Sequence, residues 1–131
     1  MTRIHVAAGV ILNDDNEVLL ALRPSHKHQG GLWEFPGGKV EAGEKVDDAL
    51  ARELMEELNL AIEAPQPFLV TEHDYADKHV KLDVWLVRRF SGEPHGREGQ
   101  QLRWVPLREL PGYRFPQANV IIVERLLQEL A

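Results

Sequence analysis

The sequence predicts an α/β fold built on a mixed β-sheet, and three observations predict it. The 131 residues suffice for one sizeable hydrophobic core and are too few for two ordinary domains. Stretches of β-branched, alternating character stand apart from two segments whose apolar residues recur at helical spacing. Their order is strand, strand, long loop, helix, three strands, helix, which fits one domain over residues 1–131.

Residues 3–12, RIHVAAGVIL, and 17–23, EVLLALR, read as strands around the turn NDDN at 13–16. A calcium loop there would need Gly at its sixth position, where Val18 stands. Residues 24–44, PSHKHQGGLWEFPGGKVEAGE, form a long connection, of a length that is usually functional or disordered. The aromatic pair Trp33 and Phe35 argues against disorder. From Lys45 or Val46 to Leu58, the residues Val46, Ala49, Leu50, Leu54 and Leu58 keep helical spacing. FLVTEHDY at 68–75 and HVKLDVWLVRRF at 79–90 read as a hairpin around ADK. SGEPHGREGQ at 91–100 is a loop, LRWVPL at 102–107 a short strand, and ANVIIVERLLQEL at 118–130 a terminal amphipathic helix.

Apolar residues make up 44% of the chain and charged residues 27%, a globular mixture. With no cysteine, disulfides and thiolate metal sites are excluded, which suits a reducing compartment. The N-terminal apolar run alternates like a strand and lacks the h-region of a signal peptide, and no stretch approaches a membrane span. A cytoplasmic protein with no membrane partner is expected. The net charge of −6, without a basic stripe, disfavours a grip on duplex nucleic acid. An anionic ligand would need something other than bulk charge to attract it, and a bound metal ion would serve.

The helix carries a feature that local rules disfavour. In RELMEELNL at 52–60, Glu53, Glu56 and Glu57 crowd together with no lysine nearby. With Val46 as zero on a helical wheel, Glu53 and Glu57 lie roughly 20° to either side and Glu56 about 80° away, so the acids border the buried stripe. Each i,i+3 or i,i+4 like-charge pair costs on the order of 0.2–0.5 kcal/mol. Glu56 and Glu57 also fill the last turn, where the helix dipole favours cations. A solvated acidic face is the bland alternative. The orientation and the adjoining glycines favour a site for Mg²⁺ or Mn²⁺, hard cations that take oxygen ligands. FPGG at 35–38 lets the backbone approach a ligand closely, although no P-loop pattern occurs.

Taken together, Gly38, Glu44, Arg52, Glu53, Leu54, Glu56, Glu57, Asn59 and Leu60 resemble the Nudix box, G-x5-E-x7-R-E-U-x-E-E-x-G-U, with U apolar. Asn59 is the one departure, standing where the pattern has Gly; Asn is the next-best residue for a left-handed helix terminus. Beyond the box, Arg23, His28, the run EFPGGK at 34–39, Glu98 in GREGQ, and FPQAN ending at Asn119 are similar to the MutT branch of that family.

The resemblance implies an α/β/α Nudix sandwich with a central mixed sheet. It implies hydrolysis of oxidised guanine nucleoside triphosphates, chiefly 8-oxo-dGTP, to the monophosphate and pyrophosphate by water attack at the β-phosphorus, so cleansing the nucleotide pool; a monomer is expected. It implies Mg²⁺ or Mn²⁺ held by the Gly37 carbonyl and by Glu53, Glu56, Glu57 and Glu98. Glu53 is then the expected general base, with Glu98 as runner-up, and Arg52 orients the carboxylates. Glu44 braces the loop and the helix dipole. Arg23 and Lys39 could meet phosphate or sugar, and His28 lines the same cleft.

Oxidation at C8 turns N7 of guanine from acceptor to donor, so a carbonyl facing N7 would favour the damaged base. The stretch Glu34, Phe35, Pro36 and Gly37 could supply that carbonyl, Phe35 could pack on the ring, and Asn119 offers a donor and an acceptor to the purine edge. Alone, Asn119 would read as a helix cap. The competing readings are a Nudix pyrophosphatase for CTP or a methylated pyrimidine triphosphate, and a binding module that has lost activity. A pure binder has no need of the repulsive set at Glu53, Glu56 and Glu57.

Overall fold

The computed structural model describes residues 2–24 and 30–131. The chain runs β1 (Thr2–Ile11), β2 (Glu17–Leu22), β3 (Trp33–Glu34), β4 (Gly37–Lys39), α1 (Val46–Leu58), β5 (Ala61–Glu63), β6 (Gln66–Asp74), β7 (Lys78–Val87), β8 (Arg89–Ser91), β9 (Leu102–Pro106) and α2 (Val120–Glu129). Short 3-10 turns at Leu107–Gly112 and Gln117–Asn119 precede α2.

The apolar run in β1 explains the architecture. Its side chains alternate between two cores: Ala8 and Val10 join Val80, Leu82 and Val84 of β7, whereas Ala7 and Ile11 face the other way. Helix α1 covers the second face with Ala49, Leu50, Leu54 and Leu58, and α2 covers the first with Ile122, Val123 and Leu126. The result is an α/β/α sandwich. Each of these fully buried leucines and isoleucines contributes on the order of 1.5–3 kcal/mol. Gly9 lets the helix lie close on the strand, since a Cβ there would already touch Leu50 and Leu54 at 3.5 Å.

The main sheet has the order β4-β1-β7-β6. It is mixed: β1 runs parallel to β7 from Thr2↔Lys78 to Ile11↔Val87, while β4 and β6 are antiparallel neighbours. A second sheet, β3-β2-β9, is antiparallel.

The two strands flanking the turn at 13–16 are present as expected, although they join different sheets and meet at the bridge Leu12↔Val18. Other expectations need correction. The connection 24–44 contains β3 and β4, which pair with β2 and β1. The strand expected over 79–90 breaks after Val87, and β8 then pairs with β5, an element the short run AIE did not reveal. The last helix starts at Val120, after the 3-10 turn that carries Asn119.

Candidate active site

Helix α1 ends at Asn59, which adopts the left-handed conformation (φ 60°, ψ 35°) expected of its position. Its N–H and that of Leu60 return to the carbonyls of Met55 and Leu54. The helix has no basic residue in its last turn. The loop at 93–98 supplies one instead: Arg97 Nη1 donates to the Met55 carbonyl at 3.2 Å, and the His95 and Arg97 N–H groups donate to the carbonyls of Leu58 and Glu57. Docking this loop on the helix end brings the Glu98 charge within reach of Glu57.

Arg52 organises the acids. Its Nε and Nη2 grip both oxygens of Glu44 at 2.8 and 3.0 Å, Nη2 also donates to the Lys39 carbonyl at 3.1 Å, and Nη1 donates to Glu53 at 2.9 Å and to Glu56 at 3.4 Å. Glu44 also accepts from the Glu41 N–H, so it braces the glycine loop as expected. The Arg52 hydrogen bonds, then the Glu41 N–H, hold the Glu44 carboxyl down at about 2. Arg52 is itself held more firmly protonated by Glu44 and Glu53.

The two glycines have separate reasons. A Cβ on Gly37 would stand 1.9 Å from the Ala7 carbonyl oxygen, so the β1–β4 pairing requires glycine there. A Cβ on Gly38 would stand 2.3 Å from the Glu53 carboxylate, which lies directly over that glycine. Glu53 thus has one oxygen on Arg52 and the other against β4.

These elements wall a cleft of about 520 Å³. Of the residues singled out in the sequence, Arg23, Glu34, Phe35, Pro36, Gly37, Gly38, Lys39, Glu53, Glu57, Glu98 and Asn119 line it. Arg52 and Glu56 do not; the Glu56 side chain is 60% exposed and shares the Arg52 Nη1 with Glu53. His28 falls outside the described residues. Arg23 is paired with Glu34 at 2.7 Å, which sets both at the cleft wall. Phe35 is 3% exposed and stacks on Phe115 at 5.5 Å, while Trp33 meets Tyr113 edge-on at 5.7 Å. These aromatic contacts pin the long connection against residues 113–115.

Asn119 is the one buried polar residue among the described residues, at 8% exposure. It occupies the cap position of α2 yet makes no side-chain cap hydrogen bond, so the capping alternative fails and its amide lies at the cleft wall. Sequence reading missed Tyr75, Lys78 and Gln100, and also the apolar floor of Ile4, Val6, Val80 and Leu82. The floor residues are strand positions that look like plain core. Tyr75 and Lys78 flank a turn that carries no motif.

Burial pushes Glu57 up to about 8, aided by the charges of Glu53, Glu34 and Glu98. Among the described residues, no three carboxylate or imidazole groups already converge on one point as a metal cage. The donors are nonetheless hard oxygens, and the proton retained by Glu57 marks a place where positive charge is favoured. The chemistry of the wall therefore fits a divalent cation.

An α/β/α sandwich that sets helix-borne glutamates beside a glycine strand has the arrangement of a Nudix hydrolase. A model of the NUDIX domain matches residues 7–125, and the chain belongs to the Nudix family, as the box at residues 38–60 indicates. It is 38% identical to the 8-oxo-dGTP diphosphatase of Escherichia coli strain K12 over 96% of this chain and 98% of that protein. It is 35% identical to the CTP pyrophosphohydrolase of the same organism, over 97% and 93% of the two chains. A solved structure from work on MutT of Aliivibrio salmonicida and Vibrio cholerae superposes with a TM-score of 0.85 at 45% identity, covering 98% of this chain and all of that one (100%). Among the described residues, no helix is long and apolar enough to cross a membrane.

Proposed function

We propose that the protein hydrolyses 8-oxo-dGTP, and with it 8-oxo-GTP, to the monophosphate and pyrophosphate. The observation that carries this reading is the buried Asn119 amide, lacking a cap bond and lining the same cleft as the Glu53 and Glu57 carboxylates. A buried amide without a partner costs on the order of 1–3 kcal/mol, so a ligand that satisfies it gains specificity.

Glu53 is the proposed base. Arg52 orients its carboxylate, which takes a proton from the water that attacks the β-phosphorus. Mg²⁺ or Mn²⁺ on the Gly37 carbonyl, Glu53, Glu56, Glu57 and Glu98 would screen the phosphates and stabilise charge developing on attack. Lys39 and Lys78 offer further cationic contact at the rim. For the base, the Pro36 carbonyl is already committed to the Gly9 N–H at 2.8 Å, whereas Phe35 lies between β3 and β4, outside both ladders. The Phe35 carbonyl is therefore the proposed acceptor for N7–H of the oxidised purine.

The test is kcat/KM for 8-oxo-dGTP, dGTP and CTP with Mg²⁺. We expect 8-oxo-dGTP to be favoured over dGTP by on the order of 10²-fold or more, because the normal base presents an acceptor to an acceptor. A ratio near one would sink the reading, and preferred turnover of CTP would favour the second relative's activity.

A further inference from the structure

The side chain of Asn119 has no cap bond to hold it, so its direction depends on how the 3-10 turn beneath it is anchored. Two hydrogen bonds from main-chain N–H groups hold that turn. The Asn119 N–H donates to the Pro116 carbonyl at 2.9 Å, and the Ala118 N–H donates to the Tyr75 hydroxyl at 3.0 Å, across 43 residues of sequence. The second ties the turn to the β6–β7 hairpin.

Tyr75 is well placed for this work. It follows β6 directly, and its own N–H donates to the Lys78 carbonyl at 2.8 Å, closing the hairpin. Its ring packs against the α2-side core and meets the His73 ring edge-on at 4.6 Å. A rigid ring anchored at both ends thus presents its oxygen to a backbone N–H at the start of a helix, where intrahelical acceptors are missing. Tyr75, Pro116, Ala118 and Asn119 all line the cleft.

We infer that Tyr75 is a positioning residue for nucleobase recognition: its hydroxyl clamps the Ala118 N–H and thereby aims the Asn119 amide into the cleft. The inference rests on the proposed contact of Asn119 with the base. Tyr75 carries no part of the bond-breaking step.

The experiment is a double-mutant cycle of Tyr75→Phe and Asn119→Ala with Mg²⁺, measuring kcat and KM separately. Tyr75→Phe keeps the ring and its packing and removes only the oxygen. We expect it to raise KM for 8-oxo-dGTP about ten-fold while kcat changes less than about two-fold. In the Asn119→Ala background it should add less than about two-fold, because there is no amide left to aim. A merely structural role would give the same loss of kcat/KM in both backgrounds, and that result overturns the inference. So does an unchanged KM in Tyr75→Phe, or an Asn119→Ala variant with unchanged KM for every triphosphate. If the wild type shows no preference for 8-oxo-dGTP, the substrate reading falls alone. The clamp is then read from the same cycle on the triphosphate hydrolysed best.

Discussion

Gly38 and Glu53 illustrate how one missing methyl group serves the site. The Glu53 carboxylate occupies the space that a Gly38 side chain would fill, held there by Arg52. In Gly38→Ala the obstacle meets the mobile end of a side chain rather than backbone, so the fold survives and the carboxylate moves. Displacing a reacting group by about 1 Å costs on the order of 10²-fold in rate. We expect Gly38→Ala to lose about that much kcat with little change in Tm. Equal, large losses of Tm would show that the glycine serves packing instead. Gly37→Ala should behave oppositely, losing stability by on the order of 1–3 kcal/mol, because its Cβ would strike the Ala7 carbonyl in β1.

At the scale of elements, α1 is held at its end by the chain that follows it and by a distant loop. Asn59 turns left-handed and passes the chain to Leu60, whose side chain is fully buried. A residue without Asn's local hydrogen bonding would find that conformation costlier. Asn59→Ala should destabilise by about 1 kcal/mol, whereas Asn59→Gly should stay within about 0.5 kcal/mol of the wild type. Urea denaturation at constant m-value distinguishes the two, and equal stabilities would refute the conformational account. The acids crowded at the helix end are relieved in part by Arg52 of α1 itself, which bonds Glu53 and Glu56, while Arg97 of the loop donates to the Met55 carbonyl at the same end.

For the molecule as a whole, Glu57 links stability to pH and to the cation. Its carboxyl rises from 4.5 to about 8 on folding, chiefly by burial. Between those values the folded chain keeps a proton that the unfolded chain has released. The contribution is complete below 4.5 and is lost as pH rises through about 8. With EDTA present, Tm should therefore fall from pH 5 to pH 8.5, and Glu57→Gln should flatten that slope. Mg²⁺ should raise Tm more at pH 8.5 than at pH 5, since a carboxylate ligand must give up its proton to bind. An identical slope in Glu57→Gln would remove Glu57 from the account.

The sequence by itself determined the two helices, the long strands and the box from Gly38 to Leu60. Those are properties of neighbours along the chain, namely the period of apolar residues and the spacing of acids around a helix. Even the left-handed Asn59 was legible, because that preference belongs to one residue. The tertiary structure alone decided which sheet each strand joins, since β1 and β2 are both largely apolar and only packing separates them. It alone paired the short β5 with β8, and turned Ile4, Val6, Val80 and Leu82 from apparent core into a cleft floor. It also decided that Asn119 does not cap its helix and that Tyr75 touches Ala118. The Tyr75–Ala118 contact joins positions 43 residues apart through a single hydrogen bond, and a single bond between distant residues leaves no periodic trace in the sequence.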